Sequence, residues 1–126
     1  VNLRMHSGLN TPGPIQKVIA VALADEEHVA VEREIYRERR DVLLAAIREY
    51  GFELSESEAG LYLWATLGQD CWETVDEMAA LGIVVVPGIF YGEAGKNFVR
   101  FSITATDEKV AEAAMRLREA ARVNRD

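Results

Sequence analysis

Arg100 is the residue best placed to do chemistry. It sits in NFVRFSITATDE, residues 97–108, where Val99, Phe101 and Ile103 alternate with Phe98, Arg100, Ser102 and Thr104. Period-two patterning in β-forming residues predicts a strand with its apolar set on one face. Arg100 then lies on the other face, beside Phe98 and Ser102. A guanidinium offers a planar fork that meets a carboxylate through two parallel hydrogen bonds. Carried on a strand, it would hold a ligand in one orientation. The alternative is an arginine whose stem lies over an open sheet face with its head in water, and the pattern leaves both readings open.

The remaining reactive side chains are less well supported. His6 and His28 have no cysteine, serine or carboxylate at a spacing that makes a nucleophile pair or a metal site. Cys71 falls in the first turn of an expected helix, where the dipole lowers a thiol pKa. With no basic neighbour and Trp72 beside it, it reads as a small packing residue. The glycine-rich VVPGIFYGEAGKN, residues 85–97, lacks phosphate-loop spacing, because Lys96 is followed by Asn97 rather than Ser or Thr. It reads as an excursion off the sheet, with Phe90 and Tyr91 either walling a pocket or packing over the strands.

These residues need elements to position them. Pro14 suits a first helical turn. Ile15, Val18, Ile19, Ala22 and Leu23 then recur at helical spacing, predicting a short helix with one stripe for burial. A longer helix is expected over 27–50, with Val31, Ile35, Val42, Leu43, Ala46, Ile47 and Tyr50 on its apolar face and Gly51 past its end. Its charged run EREIYRERRD reads as a solvated face laced with pairs between Glu34 or Glu38 and Arg33, Arg37 or Arg40. A short strand at FEL precedes GLYLWATL, a strand with Tyr62 and Trp64 on one face and Leu61, Leu63 and Ala65 on the other. Asp70 caps the next helix, with Glu73 in capping-box position. That helix's stripe is Trp72, Val75, Met78 and Ala79, and Gly82 ends it. The wholly apolar IVVV, residues 83–86, is expected to be a strand covered on both faces. After the Arg100 strand, Thr106 or Asp107 caps a last helix with stripe Val110, Ala113, Ala114 and Leu117. The order α-α-β-β-α-β-β-α implies an α+β, two-layer α/β sandwich, with helices on one face of a mainly antiparallel sheet.

At 126 residues the chain is one domain's worth, able to bury a core. Its net charge of -7 argues against a general nucleic-acid footprint. No apolar run reaches membrane-spanning length, which argues against a membrane partner. The single Cys71 makes a cytoplasmic location the simplest expectation. The opening VNLRMHSGLN does not look like a natural initiation site; a processed end, a trimmed chain or a piece of a longer protein would each account for it.

Three segments in fixed order carry a resemblance: EAGLYLWATLG at 58–68, LGIVVVPGIFYG at 81–92 and FVRFSIT at 98–104. Together with LNTPGPIQKVIAVAL at 9–23, they resemble the C-terminal part of class I/II aminotransferases, the fold-type I enzymes that use pyridoxal 5′-phosphate. Within that family, AGLYLWAT with DCWETV is most similar to succinyldiaminopimelate transaminases of lysine and cell-wall precursor synthesis. The resemblance implies that residues 1–126 form the family's small domain, with 1–25 leading in from an absent large domain. It implies that Arg100 grips the substrate's α-carboxylate and that Phe90 borders the same pocket. Arg4, His6 and Asn10 would approach the active site, sometimes that of a neighbouring subunit. The intact enzyme would be a homodimer acting between an amino acid, N-succinyl-LL-diaminopimelate with glutamate being the expected pair, and a 2-oxo acid.

In this family the Schiff-base lysine and the other cofactor-holding groups belong to the large domain. Lys17, Lys96 and Lys109 match no family lysine motif. The chain by itself is therefore expected to hold no pyridoxal phosphate and to be inactive. Two other readings compete. A stand-alone amino-acid-sensing α/β module could use Arg100 to hold a carboxylate without catalysis. A structural domain could self-associate through Ile15, Val18, Ile19 and Leu23.

Overall fold

The computed structural model describes residue 8, residues 10–54 and residues 57–123. The chain divides into two compact units, Val1–Glu34 and Ile35–Asp126.

In the first unit, helix α1 (Gly13–Leu23) starts with a proline in its first turn, where the missing N–H is no loss. The expected stripe forms but is not buried. Ile15 and Ile19 are about half exposed, and Val18, Val21 and Leu23 are more so. Helix α2 (Glu26–Tyr50) begins at Asp25, whose Oδ1 accepts from the N–H groups of Glu27 at 3.0 Å and His28 at 3.3 Å. Those bonds, the His28 one foremost, hold the Asp25 carboxyl below its usual range.

The second unit is built on a four-stranded antiparallel sheet. Its strands are β1 (Glu53–Leu54), β2 (Tyr62–Thr66), β3 (Val86–Pro87) and β4 (Val99–Ser102), in the order β1-β2-β4-β3. Leu63, Ala65, Val99 and Phe101 point to one face and are fully buried. They pack with Leu43, Ala46 and Ile47 of α2, Met78 of α3 (Cys71–Ala80), and Val110, Ala114 and Leu117 of α4 (Asp107–Val123). The α+β architecture with a helix-covered antiparallel sheet is thus as the patterning implies. Tyr62, Trp64, Arg100 and Ser102 occupy the other face, where no residue is fully buried. Among the described residues no helix is long and apolar enough to cross a membrane.

Two expectations about this unit need correction. The IVVV segment is not covered on both faces: Ile83 and Val85 are buried, but Val84 is 94% exposed and only Val86–Pro87 pairs as strand. It forms the sheet's edge, where alternate residues face the core and solvent. The charged run of α2 is not uniformly solvated either. Arg40 is 8% exposed, and its guanidinium donates to the Ser57 carbonyl at 3.1 Å, the Ser57 hydroxyl at 2.7 Å and the Gly60 carbonyl. A buried charge is tolerable only when its donors are used this fully. Arg40 thereby ties α2 to the turn that leads into β2. Arg39 next to it reaches Asp107 at the start of α4, at 2.5 Å.

Local devices end the elements as the residue types require. Asp70 Oδ1 accepts from the Trp72 N–H at 2.8 Å, capping α3. At its other end Gly82 adopts φ +69°, and Arg116 donates to the Leu81 and Gly82 carbonyls at 3.2 and 3.1 Å. Those bonds satisfy carbonyl oxygens at the helix end. The Tyr50 hydroxyl donates to Glu77 Oε1 at 2.5 Å, and Gln69 donates to Oε2 at 2.9 Å. Burial, then the Glu77 carboxylate, push the Tyr50 phenol well above its ordinary value of 10.0.

Candidate functional site

The open sheet face carries the candidate site. In the β2–β4 ladder Trp64 stands opposite Arg100 and Tyr62 opposite Ser102. Tyr62 and Arg100 are therefore diagonal neighbours on one face, within reach for an aromatic ring and a long side chain. The Arg100 guanidinium carbon lies 4.0 Å from the Tyr62 ring centroid. A second ring approaches from the loop after β3: Tyr91 places its centroid 5.6 Å from the same carbon. Trp64 stacks on Phe98 at 5.5 Å and 13°, and meets Tyr91 edge-on at 5.5 Å. Arg100 thus sits in an aromatic floor built from two strands and one loop.

The loop holds its shape through backbone contact. Pro87 opens a 3-10 turn, Gly88–Tyr91, and a second one follows at Glu93–Gly95. The Gly88 N–H donates to the Phe98 carbonyl at 2.8 Å. A Cβ on Gly88 would meet the Gly95 carbonyl oxygen, the Phe98 carbonyl oxygen at 2.6 Å and the Trp64 ring at 3.0 Å. Only glycine allows backbone to approach backbone so closely. These glycines close the loop on itself and against β4, and so deliver Tyr91 to the arginine.

The electrostatics of Arg100 are unusual. Its Nε is buried with no hydrogen-bond partner. Its guanidinium makes no ion pair or hydrogen bond among the described residues, unlike those of Arg39, Arg40, Arg116 and Arg118. Ring faces offset part of the desolvation of a cation, but its donors are unspent. Such a group can take an anion from outside the chain.

The other sequence candidates fall elsewhere. The Phe90 ring meets Trp72 at 5.7 Å, both at least half exposed, while Tyr91 is the loop aromatic on Arg100. Asn10 is exposed in the first unit. Arg4 and His6 lie outside the described residues. His28 pairs with Asp25 at 3.2 Å. Cys71 is buried and packs in the core, its N–H donating to the Lys96 carbonyl at 2.7 Å. Tyr62 is the residue that sequence reading missed. It was visible as an outward-facing strand residue, but its place beside Arg100 depends on strand register.

A profile of the family described as aminotransferase class I and II matches residues 3–117. The chain belongs to that family. Its relatives include the 4-dedimethylamino-4-oxo-anhydrotetracycline transaminase of Streptomyces rimosus, 49% identical over 117 residues, 93% of this chain and 33% of that protein. The LL-diaminopimelate aminotransferase of Oleidesulfovibrio alaskensis is 36% identical over 107 residues, 82% of this chain and 28% of that one. A solved aminotransferase from Staphylococcus aureus superposes with a TM-score of 0.82 at 26% identity, over 96% of this chain and 33% of that one. This chain spans about a third of the length of such relatives. The matched residues include Arg100 and the rings around it.

Proposed function

We propose that this chain is the small-domain part of a pyridoxal-phosphate-dependent aminotransferase, and that Arg100 binds the α-carboxylate of its substrate. The observation that carries the proposal is the guanidinium itself, fixed by β4 among aromatic rings with no carboxylate of the described residues as partner. A bidentate grip at that point orients an amino acid so that its α-carbon faces the cofactor. The cofactor supplies the electron sink for moving the amino group to a 2-oxo acid.

Residues 1–126 would form the small domain, with 1–25 leading in from a large domain. The Schiff-base lysine would lie in that other part of the enzyme. In support, Lys96 pairs with Glu93 at 3.4 Å and Lys109 with Glu112 at 3.1 Å, both lysines largely exposed. Lys17 lies on α1, none of whose residues is buried. A Schiff-base amine needs a desolvated pocket that activates it, so these residues do not fit a cofactor site. The intact enzyme would be a cytoplasmic homodimer. N-succinyl-LL-diaminopimelate and glutamate are the amino substrates we favour, in keeping with relatives named for LL-diaminopimelate.

Replacing Arg100 tests the proposal. Losing one partner of a desolvated charge pair costs about 2–5 kcal/mol. Arg100 keeps some solvent contact, so the low end applies: kcat/KM of Arg100→Leu should fall by roughly 30-fold or more. An unchanged kcat/KM would refute the role. The 126-residue chain mixed with pyridoxal phosphate should develop no protein-bound cofactor absorbance, and a saturable band would contradict the placement of the lysine.

A further inference from the structure

The rings that lie against Arg100 and the burial of one of its nitrogens together bear on how its guanidinium meets a ligand. Its central carbon lies over the Tyr62 ring at 4.0 Å and over the Tyr91 ring at 5.6 Å. Of the three guanidinium nitrogens, only Nε is both covered and unpartnered. Nη1 and Nη2, equally without a protein partner among the described residues, therefore keep contact with solvent. A carboxylate can grip a guanidinium side-on, through Nε and one Nη, or end-on, through both Nη atoms. Here the side-on edge is closed.

We propose that Tyr62 and Tyr91 are positioning residues for Arg100: they clamp its guanidinium so that a substrate carboxylate docks end-on, through Nη1 and Nη2. The inference rests on the carboxylate-binding role proposed above and adds to it the residues that set the direction of approach.

The clamp follows from the fold. Tyr62 is held by strand register, one diagonal step from Arg100. Tyr91 is held by the Gly88–Gly95 closure of its loop and by its edge contact with Trp64. Both tyrosines remain about half exposed, at 45% and 57%, so neither is a core residue whose loss should unfold the chain. Their contribution lies in the ring faces and not in the hydroxyls, since no hydrogen bond joins either hydroxyl to Arg100. An unclamped arginine on an open sheet face would sample several rotamers, and the carboxylate would have to select the one that fits.

Two measurements test this. In the 15N-labelled chain, the Arg100 Nε–H should resonate upfield, under the tyrosine rings, and exchange slowly with solvent. Tyr62→Leu should abolish both signatures, Tyr62→Phe should keep both, and Tyr91→Leu should weaken them. In the active enzyme carrying this chain, Tyr62→Leu should raise KM for L-glutamate about tenfold while kcat changes less than about twofold, and Tyr62→Phe should restore KM. An Nε–H signal indifferent to Tyr62→Leu overturns the clamp, as does a KM that stays within about twofold of the parent. If the Nε–H signatures behave as expected but Arg100→Leu leaves KM unaltered, the carboxylate-binding role fails and this inference falls with it.

Discussion

Gly88 gives the sharpest structural prediction, because one added methyl group has nowhere to go. The Gly88→Ala Cβ would sit 2.6 Å from the Phe98 carbonyl oxygen and 3.0 Å from the Trp64 ring, and closer still to the Gly95 carbonyl oxygen. Two of those atoms are backbone and cannot step aside by changing rotamer. Relief requires the loop to move off β4, which breaks the 2.8 Å bond from the Gly88 N–H to the Phe98 carbonyl. Overpacking strain costs about 1–3 kcal/mol, and a lost hydrogen bond that leaves a buried group unpaired costs about 1–3 more. Part of the strain is relieved by the very movement that breaks the bond, so the two do not add in full, and about 3 kcal/mol is expected. For a unit of this size that is a fall in Tm of roughly 12–24 °C. Thermal melts followed by circular dichroism measure it, with Gly13→Ala as the control. A methyl group on Gly13 would meet no atom within 4 Å, and the residue sits in a helix, so alanine there should leave Tm unchanged or slightly raised. A Gly88→Ala protein melting within about 3 °C of the parent would refute the close-packed loop.

Two further substitutions probe the frame and its charges. Arg40→Met keeps the apolar stem but strips the donors from Ser57 and Gly60; urea denaturation should show a loss of about 2–3 kcal/mol, and an unshifted midpoint would mean the turn does not depend on Arg40. Tyr50 gives the alkaline limit. Its folded-state pKa lies above the ordinary 10.0, so its contribution is complete below that value and is lost as pH climbs beyond it toward the folded value. Tyr50→Phe should therefore flatten the fall in stability above about pH 10, and equal slopes for parent and variant would contradict the Tyr50–Glu77 bond.

How much of this could be read from the sequence depends on how local each feature is. Val99, Phe101 and Ile103 alternate with Arg100 because strand geometry enforces period two, so the burial of the first set and the outward place of Arg100 were legible at once. Asp70 and Gly82 were legible for the same reason, since caps act over a few residues. Arg40 was not. Its neighbours in EREIYRERRD look alike, and what singles it out is a turn at Ser57–Gly60 that packs across it. Val84 misled because an apolar run does not reveal whether a strand is central or at an edge. The stripe of α1 was recognisable, but its exposure depends on what lies against it and not on its spacing. The aromatic floor failed to show for a related reason. Tyr62 is far from Tyr91 and Arg100 in the chain, and only ladder register and the loop's glycine contact bring the three together.

The most direct test of Arg100 asks the enzyme to tell a carboxylate from its neutral amide. L-glutamate and its α-amide differ only in the group that the guanidinium would hold. With Arg100 present, kcat/KM should favour the acid by about 30-fold or more, and in Arg100→Leu that preference should shrink to a few-fold. If the variant discriminates acid from amide as strongly as the parent does, Arg100 does not bind the α-carboxylate.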